Sequence, residues 1–170
     1  MSADAIVMLK ADHKELRRMF REFLSVRDKG AKDGTRKKAS LVKKIISLLT
    51  VHTYLENEVL YPEVQAQLPE LNEDVLESYE EHHVADVLTT ELYGMPARSE
   101  RFTPKAVVLI ENFTHHMEEE ERDWFPKIRA GLSRKQLLEI GAKLQEARRN
   151  APKAPAQPSA LKKTIDALIS

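Results

Sequence analysis

One pattern in this chain occurs twice. The stretch that starts at His52 reads HTYLENEVLYP and the one that starts at His116 reads HMEEEERDWFP, so a single constant shift carries His52 onto His116, Glu56 onto Glu120 and Pro62 onto Pro126. Residues four apart lie one above the other on a helix. Each stretch, read as a helix, therefore offers one imidazole and one carboxylate from the same face. Around them, Ile45, Leu48, Leu49, Leu55, Val59 and Leu60 recur at three- and four-residue spacing, which turns His52 and Glu56 toward a core. Two buried carboxylates without partners would cost several kcal/mol, so the fold must bring a compensating charge to them.

The rest of the chain is also helical in character, with scarce glycine and no alternation of β-branched and polar residues. Helix 1 is predicted from about Ala3 to Val26, its stripe of Leu9, Leu16, Met19, Phe20 and Phe23 enclosing His13. DKGAKDGTRKKAS reads as a connector, and helix 2 as running from around Ser40 to Gln67. After the Leu68-Pro69-Glu70 break, Asn72 is a candidate cap for helix 3, which carries Leu76, Tyr79, Val84, Val87 and Leu88 and ends at Gly94-Met95-Pro96. Thr103-Pro104 opens helix 4, which closes near Gly131. Connectors this short suit antiparallel neighbours, so residues 1–131 are expected to form an all-α, up-and-down four-helix bundle. Ser133 and Gln136 match a capping box and open a shorter amphipathic helix within 132–150. Residues 151–170 read as a Pro/Ala linker and a short C-terminal helix, expected to dock on the bundle or on a protein partner.

Composition narrows the chemistry. Lys+Arg and Asp+Glu are equal at 27 each, so no overall field invites nucleic acid, and Arg36-Lys37-Lys38 reads as a solvated loop. No stretch is long and apolar enough for a signal-peptide core or a membrane span, so the expectation is a cytoplasmic protein with no membrane contact. Cysteine is absent, which excludes thiolate catalysis and cysteine-held metals and leaves only nitrogen and oxygen donors. Helices 2 and 4, joined by single histidines from helices 1 and 3, supply four nitrogens and two carboxylates. That inventory suits two metal ions, because imidazole binds iron and similar cations while a carboxylate bridges two of them.

DHKEL on helix 1, H-x-x-x-E with YP on helix 2, EEHH on helix 3 and H-x-x-x-EE with FP on helix 4 together resemble the hemerythrin, or HHE cation-binding, family over about residues 3–131. The resemblance implies a non-haem centre of two iron ions (Fe2+/Fe3+) with a bridging oxo, hydroxo or water. Glu56 and Glu120 would be bridging carboxylates, and His13, His52 and His116 terminal ligands. Oxygen-carrying hemerythrins place two histidines one turn apart on the third helix. Here the pair is adjacent, about 100° apart, so one of them enters the site. Against Leu76, Tyr79 and Val87, His83 lies nearest the middle of the apolar stripe and is the preferred ligand; counting from the Glu81-His82 step favours His82 instead, with Asp86 one turn on. A carboxylate, a tyrosine such as Tyr54, or water would take the place of the missing fifth histidine.

Other residues have simpler readings. His115 points away from the face of Glu120 and is expected at the surface, Glu118 and Glu119 on a solvated face, and Trp124 and Phe125 in the core. The function that the resemblance implies is binding of, or reaction with, dioxygen, peroxide or nitric oxide. If the protein is an enzyme, it is a peroxide-decomposing, catalase-like oxidoreductase; the alternatives are an oxygen, iron or redox sensor and an iron store.

Overall fold

Asp4 starts the first helix, its carboxylate accepting the Val7 N–H at 2.9 Å, and α1 (Ala5–Val26) then buries Ile6, Leu9, His13, Leu16, Phe20 and Phe23 along one side. The computed structural model describes residues 3–28 and 32–155, so the expected C-terminal helix of ALKKTIDALIS lies outside the described residues. The second helix, α2 (Lys32–Leu55), begins well before Ser40. The supposed connector is rich in lysine, arginine and alanine, all good helix formers. A single interior glycine, Gly34, costs only about 1 kcal/mol against them. Lys38 ties this first part of α2 to its surroundings, donating to the Arg27 carbonyl at 3.2 Å and to Thr103 at 3.4 Å.

Neither Pro62 nor Pro126 ends its helix. After α2 the chain makes one π-helical turn over Glu56–Leu60 and resumes as α3 (Tyr61–Gln67); after α5 (Phe102–Glu119) it does the same over Glu120–Trp124 and resumes as α6 (Phe125–Gly131). Proline lacks the N–H for an ordinary helical bond, and its ring clashes with the carbonyl four residues back. The chain relieves the clash by widening the turn: Tyr61 N–H reaches the carbonyl of Glu56 and Phe125 N–H that of Glu120. Both wide turns begin at a glutamate of the duplicated motif.

Between these rods, a 3₁₀ turn over Pro69–Leu71 leads into α4 (Asn72–Tyr93). Last comes α7 (Arg134–Asn150), opened by the Ser133–Gln136 capping box. α1 packs along α2, α4 along α5, and α7 lies across α1 and the first π-turn, giving a four-helix bundle with a fifth helix on its side. Among the described residues there is no strand, and no helix is long and apolar enough to cross a membrane. Two apolar layers fill the bundle. One gathers Leu9, Leu55, Tyr61, Trp124 and Phe125 with Ile140 and Leu144 of α7; the other gathers Leu16, Phe20, Leu49, Ala85 and Phe113. On every rod a buried histidine falls between the two layers, which leaves a polar slab across the core.

Gly141 lets α7 approach this closely. A β-carbon there would fall on the Ala3 carbonyl oxygen, with the backbone of Asp4 and Ala5 close behind. Backbone cannot step aside as a flexible side chain can. Gly141→Ala is therefore expected to cost about 1–3 kcal/mol by overpacking, read as a lower midpoint in chemical denaturation; an unchanged midpoint would mean that α7 is not held against the start of α1.

Candidate metal centre

Four histidines reach the middle of the slab, one from each rod: His13, His52, His82 and His116, all at most 1% exposed. Each turns its Nδ1 outward to an oxygen. His13 Nδ1 meets Glu121 at 2.8 Å, His52 Nδ1 meets Asp12 at 3.4 Å, His82 Nδ1 meets Asn57 at 2.8 Å and His116 Nδ1 meets Glu81 at 2.6 Å. With these Nδ1–H groups donating, every Nε2 carries a lone pair inward. The Nε2 atoms meet in pairs, His13 with His52 at 3.2 Å and His82 with His116 at 3.0 Å.

Glu56 and Glu120 stand between the pairs. Glu56 Oε2 lies 3.2 Å from His52 Nε2 and 3.3 Å from His82 Nε2, while Glu120 Oε2 lies 3.2 Å from His13 Nε2 and 3.5 Å from His116 Nε2. Each carboxylate thus touches one imidazole of each pair. Two compact donor groups result, His13, His52, Glu56 and Glu120 on one side and Glu56, His82 and His116 on the other. All four oxygens of Glu56 and Glu120 are buried without a hydrogen-bond partner. Imidazole lone pairs facing each other around orphaned carboxylate oxygens repel unless a cation lies among them, so the donor set fits a metal on its own physics.

The hemerythrin HHE cation binding domain matches residues 4–128, nearly the whole of the bundle. The chain belongs to the hemerythrin HHE cation-binding family. Among solved structures it is similar to a hemerythrin HHE cation binding domain-containing protein from Mycobacterium kansasii, at 18% identity and a TM-score of 0.68, over 87% of this chain and 89% of that one. That likeness concerns the fold. No curated protein matches the chain.

Within this hemerythrin-family bundle, helix α4 departs from the sequence reading. His82, not the preferred His83, enters the cluster; His83 is half-buried outside it. The stripe that pointed to His83 is itself turned away, with Leu76, Val84 and Val87 at 37%, 45% and 41% exposure. α4 instead buries Val75, Ser78, His82, Ala85, Thr89 and Leu92, a face of mostly small or polar residues that periodicity of apolar side chains does not mark. The tyrosine at the centre is Tyr61, not Tyr54. Its hydroxyl donates to His82 Nε2 at 3.2 Å, and its ring lies near-parallel to His82 with centroids 5.4 Å apart, as Phe125 lies on His13 at 5.6 Å. In a straight helix Tyr61 would sit about 140° around from Glu56; the π-turn brings it onto the same side.

Metal-free, this centre has to share protons. Burial, then the charge of Glu56, holds the Glu120 carboxyl well above the ordinary carboxylate range. Burial pushes Glu56 the same way, but His52, His116 and His82 outweigh it and hold this carboxyl well below that range. Burial drives His82 down to about 4, so its ring is neutral at physiological pH and its Nε2 is free to bind. His116 moves in the opposite sense: burial opposes its charge, yet Glu120, Glu56 and Glu81 together raise it well above the usual histidine value.

The outer oxygens extend the site to other helices. Arg148 of α7 donates to Asp12 Oδ2 at 2.7 Å, and that same oxygen receives His52 Nδ1. Burial alone would raise the Asp12 carboxyl, but hydrogen bonds from His52 and Arg148 prevail and keep it below its usual value. Asp12→Ala is expected to weaken metal binding by about 10- to 100-fold, the range for groups that orient a ligating imidazole, and Arg148→Ala by less. Calorimetric titration with Zn2+ checks the order, and equal affinities in all three proteins would remove Asp12 from the centre.

Proposed function

We propose that His13, His52, Glu56, His82, His116 and Glu120 hold two iron ions, and that the centre reacts with a small O–O ligand, peroxide foremost. The observation that carries this reading is the split of the buried donors into two groups that share Glu56, with Glu120 reaching both histidine pairs. A single cation would leave one histidine pair facing itself. Two iron ions supply paired ferrous–ferric electron exchange, which suits two-electron chemistry without haem or cysteine.

The chain's own residues divide the remaining work. Asp12, Asn57, Glu81 and Glu121 hold the four rings in the tautomer that points Nε2 inward. Phe113, Phe125 and Trp124 pack around the centre and limit water. Tyr61 stands on the His82 side, where the resemblance to oxygen carriers leaves a histidine missing. Burial, then the charges of Glu56 and Glu120, keeps its phenol protonated, so the hydroxyl can donate a hydrogen bond or a proton to a ligand beside His82. The Phe125 side offers no such donor. This asymmetry favours reaction over reversible carriage.

A second reading has one observation behind it. Because Arg148 is linked to His52 through Asp12, a change at the centre would reach α7 directly, as an oxygen or redox sensor requires.

Elemental analysis of the purified chain tests the metal count: two iron ions per chain are expected, with the content reduced in His82→Ala and kept in His83→Ala. One ion per chain in the unaltered protein would end the di-iron reading. Steady oxygen release from added hydrogen peroxide, slowed about tenfold or more in Tyr61→Phe, tests the reaction; a stable oxygenated spectrum without turnover would favour carriage.

A further inference from the structure

Next to the centre lies a second set of donors, of which the reading above uses only Glu81, and that one as the partner of a ring nitrogen. Glu81 of α4 and His115 and Glu119 of α5 bring three ligand atoms within 4.8 Å of one another near the surface. His115 Nε2 stands 3.3 Å from Glu119 Oε1. Glu81 links this set to the centre, since its Oε2 also receives His116 Nδ1 at 2.6 Å.

A cleft of about 440 Å³ joins the two. Glu81 and Glu119 line it, and so do the buried His116 and Glu120. Three other clefts, beside Leu92 and Phe102, beside Leu88 and Val108, and beside Arg17 and Glu118, are lined by none of the six centre residues. Lys127 pairs with Asp74, and Arg122 with Asp123 and, at 4.0 Å, with Glu119, so the carboxylates along the cleft still outnumber its lysine and arginine. Such a lining concentrates cations and does nothing for an uncharged peroxide or dioxygen. At its inner end, both oxygens of Glu120, 2% exposed, have no hydrogen-bond partner.

We propose that Glu81, His115 and Glu119 form an outer divalent-cation site, which captures the metal and delivers it along this cleft to the buried centre. The proposal rests on the cluster being a metal centre. Two carboxylates and one imidazole open to water make a weak, fast-exchanging site, the property a loading station needs. Glu81 makes the transfer short, because its carboxylate already meets His116 Nδ1, with only the imidazole ring between it and the Nε2 that faces the centre.

His115→Ala combined with Glu119→Gln removes the outer donors while leaving the centre intact; the two side chains are 66% and 36% exposed, so packing is little disturbed. In the metal-stripped full chain, paramagnetic titration with Mn2+ should count one weakly held ion beyond the tightly held ones, lost in the double variant. Anaerobic stopped-flow mixing with Fe2+ at low salt should show filling of the centre slowed about tenfold, to an unchanged final content. Added salt should bring the unaltered protein toward the slower rate. In His52→Ala the tight sites are damaged but the weak Mn2+ should persist, so a failure of the centre and a failure of the outer site read differently. Equal filling rates, or a Mn2+ count that the double variant leaves unchanged, overturn the proposal.

Discussion

Glu56→Ala is expected to yield a folded helical protein that retains almost no iron. Glu56 is fully buried and is the one residue present in both donor groups, its Oε2 within 3.3 Å of an imidazole from each histidine pair. Removing it takes an oxygen from both donor groups at once. The loss should exceed the roughly 10- to 100-fold that outer-shell groups are worth, and should appear as loss of metal on gel filtration. Helicity should survive, because the two apolar layers on either side of the slab are untouched. Glu118→Ala, at an exposed position in the same acidic run, should keep its full complement. A Glu56→Ala protein carrying two iron ions would show that the converging donors are not the metal site.

Stripping the metal should make stability fall as pH rises above the ordinary histidine value of 6.5, where the loaded protein stays flat. The sign follows from the direction of each shift. Asp12 and Glu56 are depressed carboxyls whose stabilising contribution is present above their unfolded values and lost only in acid. His13 and His82 are depressed by burial below 6.5, so above that value they are neutral whether folded or not and contribute no slope. Glu120 and His116 are raised, so they stabilise the folded metal-free state while protonated and lose that contribution as pH climbs through their folded values. Only the raised groups act in the alkaline window. Thermal melts of the chelated protein should fall by roughly 5 °C or more across it, while bound cations replace those protons in the loaded protein. A chelated protein that melts at one temperature throughout would mean that neither Glu120 nor His116 is held protonated.

The two halves of the centre differ in how far they could be read from sequence. His52 with Glu56 and His116 with Glu120 each depend on one local relation, a four-residue step on a helix, and no packing decision intervenes. The prolines of the same motif were visible too, but as helix punctuation. Their actual effect, a π-turn that starts at each glutamate and swings Tyr61 and Phe125 onto His82 and His13, depends on the helix continuing past them, and buried contacts on both sides make it continue. A tyrosine directly before a proline in one copy, with phenylalanine in the other, was the available signal for an asymmetric centre. The early start of α2 was missed for a similar reason: a basic run looks like loop by charge, yet its intrinsic preference is helical.

The duplicated His-x-x-x-Glu spacing, the helical stripes and the absence of cysteine by themselves determined a bundle with nitrogen and oxygen donors inside it, because those features act within single helices or through composition. Only the tertiary structure decided between His82 and His83, since neighbours on a helix lie about 100° apart and the rotation of α4 is set by what it packs against. Its small and polar face, Val75, Ser78, Ala85 and Thr89, allows the approach that turns His82 inward. The tertiary structure likewise supplied the acceptors of the imidazole Nδ1 groups: Asp12 for His52 and Glu81 for His116 come from other helices and lie far away in sequence. Local spacing selects which residues share a face. Packing between helices selects which face meets the centre.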